Sequence, residues 1–191
     1  WDQALRLLVE MSSAHVELST ITYSAAVSAC EKGGQWHQAL RLLVEMASAQ
    51  VKLDTITCNA AVSACEKGGQ WHQALRLLVE MSSAHVELDT ITYNAAISAC
   101  EKGGQWDQAL RLLVEMALLV MTASARVELN TITYNAAVSA CETDCQWAAA
   151  LRLLVEMAAA EVELSTITYN ALLVEMASAS AHVALDTITY S

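Results

Sequence analysis

A phrase of 35 residues recurs along this chain almost unchanged. Trp1, Trp36, Trp71 and Trp106 are spaced by 35 residues, and Trp147 follows after 41. A constant period of this size is typical of proteins built from stacked repeats. One such unit cannot bury its own apolar face, so the units must stack, and the stack offers a long binding surface. The repeat therefore favours recognition of an extended partner over catalysis.

Composition indicates that the repeats are helical. The chain contains no proline, and its six glycines stand in three pairs, one of which is Gly68-Gly69. Breakers are therefore scarce in a sequence rich in Ala, Leu and Glu, which are strong helix formers. We predict an all-α protein, a right-handed α-solenoid of stacked helix-turn-helix repeats.

Each unit divides into two predicted helices. In the first, Cys58, Ala61, Val62 and Cys65 recur at i, i+3, i+4 and i+7 and form one apolar stripe. The glycine pair ends that helix, because glycine accepts the left-handed conformation of a C-terminal cap. The second helix is expected to bury one face, made of Trp71, Ala74, Leu75, Leu78 and Met81. Its end carries neither proline nor glycine, which makes it a weak stop.

The unit boundaries follow from the recurring "TIT". Residues 1–19 form a half repeat, complete repeats occupy 20–54, 55–89, 90–130 and 131–165, a truncated repeat spans 166–186, and 187–191 begin another. The opening in mid-repeat suggests a piece of a longer array. The third repeat carries six extra residues around 118–123. If all six were helical they would rotate the later repeats by roughly 240°, so we expect a longer second helix there and less regular stacking between 116 and 130.

The cysteines are interpreted as buried structural thiols. Four of the six (Cys30, Cys65, Cys100 and Cys141) occupy one position of the repeat, and small buried side chains are the commonest role of free cysteine. Without a CxxC motif or a nearby histidine, no metal site or cofactor is predicted. No nucleophile–base pair or phosphate loop recurs, so no catalytic residue is assigned, and no segment is long and apolar enough for a membrane span.

The motif "ITYNAAISACEKGGQWDQALRLLVEM" resembles the pentatricopeptide repeat, which combines a 35-residue period, TYN in the first helix, AL…L…EM in the second and Asp at the unit end. The resemblance covers nearly the whole chain. Leu53, Leu88 and Leu129 stand where that family usually has proline, and Asp144-Cys145 replaces one glycine pair.

This resemblance implies that each repeat reads one base of single-stranded RNA. The reading pairs would be Ser24 with Asp54, Asn59 with Asp89, Asn94 with Asn130, and Asn135 with Ser165, with Asn170 and Asp186 as a fifth from the truncated repeat. By the family's preferences these pairs select G, U, a pyrimidine and C in 5′ to 3′ order. Ile21, Ile56, Ile91 and Ile132 would sandwich the bases. Asn59, Ser63 and Lys67 lie at i, i+4 and i+8, so they form one polar line, and the lysines expected to meet phosphate are Lys32, Lys67 and Lys102.

Simpler interpretations of these residues stay open. The Asn after "TY" could satisfy a helix start, the Ile could belong to the core, and the Lys could stabilise the C-terminal end of a helix dipole.

Charge is the main argument against RNA. The formal net charge of −11 opposes a strong electrostatic grip on nucleic acid, and each Lys has a Glu close by. The alternative function is a protein-interaction scaffold that uses the same concave face. Sequence-selective RNA binding in organellar RNA processing, stability or editing remains the leading hypothesis, and the resemblance implies the chloroplast before the mitochondrion.

Overall fold

The structure, a computed structural model, describes residues 1–121, 127–143 and 146–159. Over these ranges the chain forms nine α-helices and no strand, as the composition predicts. They are α1 Asp2–Ser13, α2 Thr20–Lys32, α3 Trp36–Ser48, α4 Thr55–Lys67, α5 Trp71–Ser83, α6 Thr90–Lys102, α7 Trp106–Met121, α8 Thr131–Thr143 and α9 Trp147–Ala159. The even-numbered helices are the first helices of the units, and the odd-numbered helices are the second helices. The repeats predicted over 166–186 and 187–191 lie outside the described residues.

The helices form two layers. The first helices α2, α4, α6 and α8 pack side by side, and each second helix packs on the first helices next to it. In the part of the chain that the structure describes, the backbones of the second helices do not approach one another. The layer whose helices lie closer together is on the inside of the curve. The first helices therefore line the concave side and the second helices the convex side, as predicted.

The core lies mainly within the layer of first helices. Val27, Val62, Ile97 and Val138 are fully buried at equivalent positions. The predicted apolar stripe of α4 is buried, but Thr57, Asn59, Ala60 and Ala64 are buried as well. The buried face of α4 is therefore wider than the stripe predicted from the sequence. The reason is that a first helix is flanked by two other first helices and by second helices, which leaves little of its surface exposed.

The second helices bury one face, with three differences from the prediction. Ala74, Leu78 and Met81 are buried as expected and Leu77 is buried in addition, whereas Leu75 is only half-buried. Trp71 is only half-buried, because it lies at the start of its helix against Gly103 of the next unit. A Cβ atom added to that glycine would lie 2.3 Å from Trp71 Cδ1, so glycine is needed there to let the indole approach.

Both helices of a unit end in the same way. The first helices α2, α4 and α6 end at glycine pairs whose second member has a positive φ, such as 65° at Gly69. The second helices carry no glycine or proline at their ends, but they reach a similar conformation there, with φ of 54° at His85 and 56° at Gln50. In each case the amide of the residue that follows donates back to a carbonyl of the last turn, as Val86 N does to Met81 O at 2.9 Å. This is the Schellman arrangement, which satisfies carbonyls that the helix end would otherwise leave open.

The six-residue insertion lengthens the second helix of its unit, as predicted. α7 has 16 residues, whereas α3 and α5 have 13 each. The expected irregularity does not reach the layer of first helices, because α8 packs on α6 as α6 packs on α4. Three of the extra residues continue α7, and residues 122–126 are outside the described ranges.

Candidate nucleic-acid interface

The predicted base-reading asparagines occupy one row of the concave layer. Each is the fifth residue of its first helix, at Asn59 in α4, Asn94 in α6 and Asn135 in α8, with Ser24 at the same place in α2. Asn59 is buried, and the other three residues are half-buried. Ser63 and Lys67 continue the row towards the end of α4. The structure therefore places these residues on one face, which was the first condition for reading a strand of bases in order.

The residues at the unit ends are the N-caps of the first helices. The Asp54 carboxylate accepts from the backbone amide of Thr57 at 2.8 Å, and Asp89 accepts from that of Thr92 at 2.9 Å. Asn130 accepts from the amide of Thr133 at 3.1 Å. Capping of this kind satisfies one of the amides that a helix start leaves without a partner. The simple capping role that was considered for the Asn after "TY" thus belongs to the unit-end residue.

The second predicted reading pair is joined directly. Asn59 Nδ2 donates to both carboxylate oxygens of Asp89, at 3.0 and 3.1 Å. The pair links the first helices of two neighbouring units, because Asn59 lies in α4 and Asp89, the last residue of that unit, caps α6. A base that takes either residue as a partner must compete with this internal contact. The contact between Asn59 and Asp89 also holds α4 against α6, so the same side-chain atoms would both stabilise the stack and read a base.

A buried threonine completes this contact and was missed by the sequence reasoning. Thr92 Oγ1 donates to Asn59 Oδ1 at 2.5 Å, and it also lies 2.9 Å from Asp89 Oδ1. Thr133 repeats the arrangement, 2.7 Å from Asn94 Oδ1 and 3.0 Å from Asn130 Oδ1. The signal was present in the second Thr of every "TIT", which stands three residues after the cap, at the spacing of a capping box.

The other predicted pairs are not joined in this direct way. No hydrogen bond between Ser24 and Asp54 occurs in the described residues, and the Asp54 carboxylate accepts from Thr57 instead. Asn94 and Asn130 meet through Thr133. Asn135 is half-buried in α8, while its predicted partner Ser165 lies outside the described residues, as do Asn170 and Asp186.

The four isoleucines are exposed, which excludes the core role left open for them. Their side chains are 81% exposed at Ile21, 69% at Ile56, 62% at Ile91 and 64% at Ile132. Each is the second residue of a first helix and lies three positions before the base-reading residue. The concave layer therefore presents an apolar side chain at the start of each of its helices, next to a polar row.

The lysines of the polar row are engaged in ion pairs between units. Lys67 Nζ lies 2.8 Å from Glu31 Oε1, and Lys102 Nζ lies 2.8 Å from Glu66 Oε1. The glutamate comes from the preceding unit in both cases. Pairs this exposed contribute at most about 1 kcal/mol, so a phosphate group can compete for the ammonium. Lys32 is exposed at the end of α2 and forms no such pair with a described residue.

The thiols and the remaining acids lie away from this row. Cys30, Cys58, Cys65, Cys100 and Cys141 are buried, and none of them forms a disulfide within the described residues. Burial raises the pKa of Cys65 to about 12, which suits structural thiols. Over the described residues, no group of three or more potential ligands could hold a metal ion, and none of the helices there has the length and apolarity to cross a bilayer. Glu45, Glu80 and Glu115 belong to second helices, on the other layer.

Paired helices, a concave row of polar side chains and a constant period define a helical-repeat protein. The comparisons give it a family: the model described as "PPR repeat family" matches residues 53–102, and the one described as "PPR repeat" matches 21–51 and 91–118. The chain belongs to the pentatricopeptide repeat family. A search of curated proteins found no match.

Solved structures of this family have the same fold. The pentatricopeptide repeat protein PPR10 from maize is 24% identical with a TM-score of 0.71, over 99% of this chain and 27% of that protein. PPR10 in complex with an 18-nt psaJ RNA element has a TM-score of 0.78 at 24% identity, over 98% of this chain and 26% of the other. The PPR domain of Arabidopsis thaliana protein-only RNase P 1, in complex with tRNA, has a TM-score of 0.75 at 15% identity, over 91% of this chain and 89% of that domain.

These likenesses confirm the right-handed α-solenoid expected from the repeat. The chain spans about a quarter of the length of PPR10.

Proposed function

We propose that this chain binds single-stranded RNA along its concave layer, one base per repeat, and that it acts in organellar RNA processing, stability or editing. The role is binding, without catalysis by these repeats. The similarity to PPR10 and to the Arabidopsis PPR domain, both solved with RNA, supports the ligand class. Of the two organelles, the family resemblance favours the chloroplast.

The observation that carries the proposal is the row of exposed isoleucines. Four side chains at equivalent positions are 62–81% exposed, although covering an isoleucine typically contributes about 1.5–3 kcal/mol. Each lies beside a base-reading position, and the spacing of one platform per helix matches one base per repeat. Stacked bases would cover these side chains and bring their edges towards the asparagine row.

The first two reading pairs differ in a way that supports selective reading. Asn59 and Asp89 bind each other, whereas no hydrogen bond joins Ser24 to Asp54 in the described residues. A base at the second position replaces an existing contact, and a base at the first position has no such contact to displace. The two units thus offer different donors and acceptors to otherwise equivalent bases.

A protein-interaction scaffold is the second candidate, favoured by the charge. The net charge is −11, and the ion pairs of Lys67 and Lys102 with glutamates reduce the positive potential of the polar row. Since phosphate contacts supply much of nucleic-acid affinity, this array binds RNA weakly on its own. The scaffold proposal needs a peptide in the groove instead.

Fluorescence anisotropy with labelled 12-nucleotide RNAs tests the proposal, with G-U-C-C at the centre and adenines on both sides. The double variant Ile56→Ser/Ile91→Ser should weaken RNA binding by at least about tenfold, because base stacking contributes roughly 1–3 kcal/mol per base. The matched control pair is Val44→Ser and Val79→Ser, whose side chains are 67% and 66% exposed on the convex layer.

The control pair should leave RNA affinity unchanged at both low and high salt. Equal losses in the two pairs would show that general solubility, and not the concave layer, governs binding. If the unmodified chain binds no RNA even at low salt, RNA binding is refuted for these repeats and the scaffold proposal takes its place.

A further inference from the structure

One position of the repeat is occupied by a smaller residue in the second unit. Tyr23, Tyr93 and Tyr134 occupy the fourth place of their first helices, and all three rings are buried. Cys58 stands at that place in α4. The substitution removes a phenol ring from the space between the first and second helices of its unit.

In the first and third units a tyrosine side chain fills this space. Tyr93 Oη donates to Glu115 Oε1 on the second helix of the same unit at 2.8 Å, and Tyr23 Oη donates to Glu45 Oε1 at 3.3 Å. The ring therefore reaches from the first helix to a carboxylate on the second helix. The space between these two points takes an aromatic ring with a hydroxyl group at its far end.

In the second unit this space opens into a cleft between α3 and α5. The equivalent cleft between α7 and α9 has Tyr134 in its lining, where the second unit has Cys58. The cleft of the second unit has a volume of about 410 Å³, with walls that include Leu40, Leu53, Leu77 and Met81, and Cys58 also lines it. An apolar cavity of ~150 Å³ is large enough to hold a benzene molecule. The cleft is thus wide enough for an aromatic ring, and its walls are mainly apolar.

The carboxylate that would meet the missing hydroxyl is still present. Glu80 lines the cleft and corresponds to Glu45 and Glu115 of the neighbouring units. Without a tyrosine partner, it accepts from Arg76 Nε at 2.8 Å. Both side chains of this pair are more than half exposed, so the pair lies towards the mouth, whereas Cys58, only 2% exposed, lies at the inner end.

We infer that the cleft beside Cys58 is a binding site for a small para-substituted phenol. The ring would take the place of the absent tyrosine ring, with its para substituent towards Cys58 and its hydroxyl donating to Glu80. Recognition is noncovalent, since burial and the Asp54 carboxylate raise the pKa of the Cys58 thiol to about 11 and keep it protonated at neutral pH. The site lies between the second helices α3 and α5, with Cys58 of α4 at its inner end, and is distinct from the concave row.

Calorimetry or ligand-observed NMR with p-cresol, the tyrosine side-chain analogue, tests this site. The chain should bind one equivalent, and toluene should bind about fivefold more weakly because it lacks the hydroxyl. Cys58→Tyr should reduce p-cresol affinity by at least about tenfold, since it restores the ring that neighbouring units carry. Cys58→Ser should retain binding, because the cleft stays open.

A surface variant guards against the case in which Cys58→Tyr fails to fold. Glu80→Ala should remove the preference for p-cresol over toluene while leaving toluene binding unchanged, and Glu45→Ala is its matched control in a unit that keeps its tyrosine. The inference is overturned if p-cresol does not bind up to its solubility limit, if folded Cys58→Tyr binds it as well as the unmodified chain, if Cys58→Ser loses binding, or if Glu80→Ala keeps the preference.

Discussion

Replacing Thr92 by valine removes one buried hydroxyl from the contact between two units while keeping the shape of the side chain. That hydroxyl lies 2.5 Å from Asn59 Oδ1 and 2.9 Å from Asp89 Oδ1, and it accepts from the Asp89 backbone amide at 3.2 Å. Valine would leave a buried amide oxygen and a backbone N–H without these partners. Each such loss costs about 1–3 kcal/mol, so we expect Thr92→Val to lower the free energy of unfolding by ~2–4 kcal/mol.

The preceding units supply graded controls. Thr57 is equally buried but donates only to the half-buried Asp54, at 2.5 Å, so Thr57→Val should cost ~1 kcal/mol. Thr22 is half-buried, and its hydroxyl meets only Ser19 Oγ, at 3.2 Å, so Thr22→Val should cost less than about 0.5 kcal/mol. The order of the three losses follows the number of hydrogen bonds that each hydroxyl makes and how deeply it is buried.

Urea unfolding followed by far-ultraviolet circular dichroism measures these differences. The denaturant dependence should be the same in all three variants, so that a shift of the midpoint reports stability. Equal losses in the three variants, or a smaller loss for Thr92→Val than for Thr57→Val, would show that the threonine–asparagine contact does not stabilise the stack.

Three further outcomes are expected. His85→Gly should stabilise the chain by ~0.5–1 kcal/mol, because His85 has a φ of 54° that glycine adopts freely. The control Ala84→Gly, at a φ of −85°, should destabilise it. Equal effects of the two variants in thermal denaturation would contradict this account. Burial raises the pKa of Cys65 from 9.0 to about 12, so the stability that this buried thiol contributes is complete below pH 9 and is lost as the pH rises towards about 12. Cys65→Ala should therefore flatten the curve of unfolding free energy against pH between these two values. An unchanged slope would contradict this contribution of Cys65. Glu66→Gln should strengthen RNA binding about twofold to fivefold in low salt, because it releases Lys102 from its ion pair. Unchanged affinity would show that Lys102 does not contact the RNA.

The repeat and its breakers predicted the fold well because both act locally. The 35-residue period and the apolar positions fixed two helices per unit, and glycine at position 69 indicated a left-handed cap that the structure contains. The similar cap at His85 had no sequence signal, because its φ is set by the hydrogen bonds of the helix end and not by the residue type.

The candidate site could be predicted only in part. That Asn59, Ser63 and Lys67 share a face follows from helix geometry. That Asn59 meets Thr92, or that Lys67 meets Glu31, depends on how far apart neighbouring units stack, and the partners are 33 and 36 residues away. Contacts between units therefore required the structure, even in a chain whose units are nearly identical.

The most direct test of the central claim is the base preference of one repeat before and after its reading residue is changed. Four 12-nucleotide RNAs that differ only at the second base of G-U-C-C are titrated against the unmodified chain and against Asn59→Thr, with Lys67→Ala as the control. The unmodified chain should prefer U, Asn59→Thr should shift that preference towards G by about fivefold or more, and Lys67→Ala should weaken all four RNAs alike and flatten the salt dependence. The claim is contradicted if Asn59→Thr and the unmodified chain rank the four RNAs in the same order.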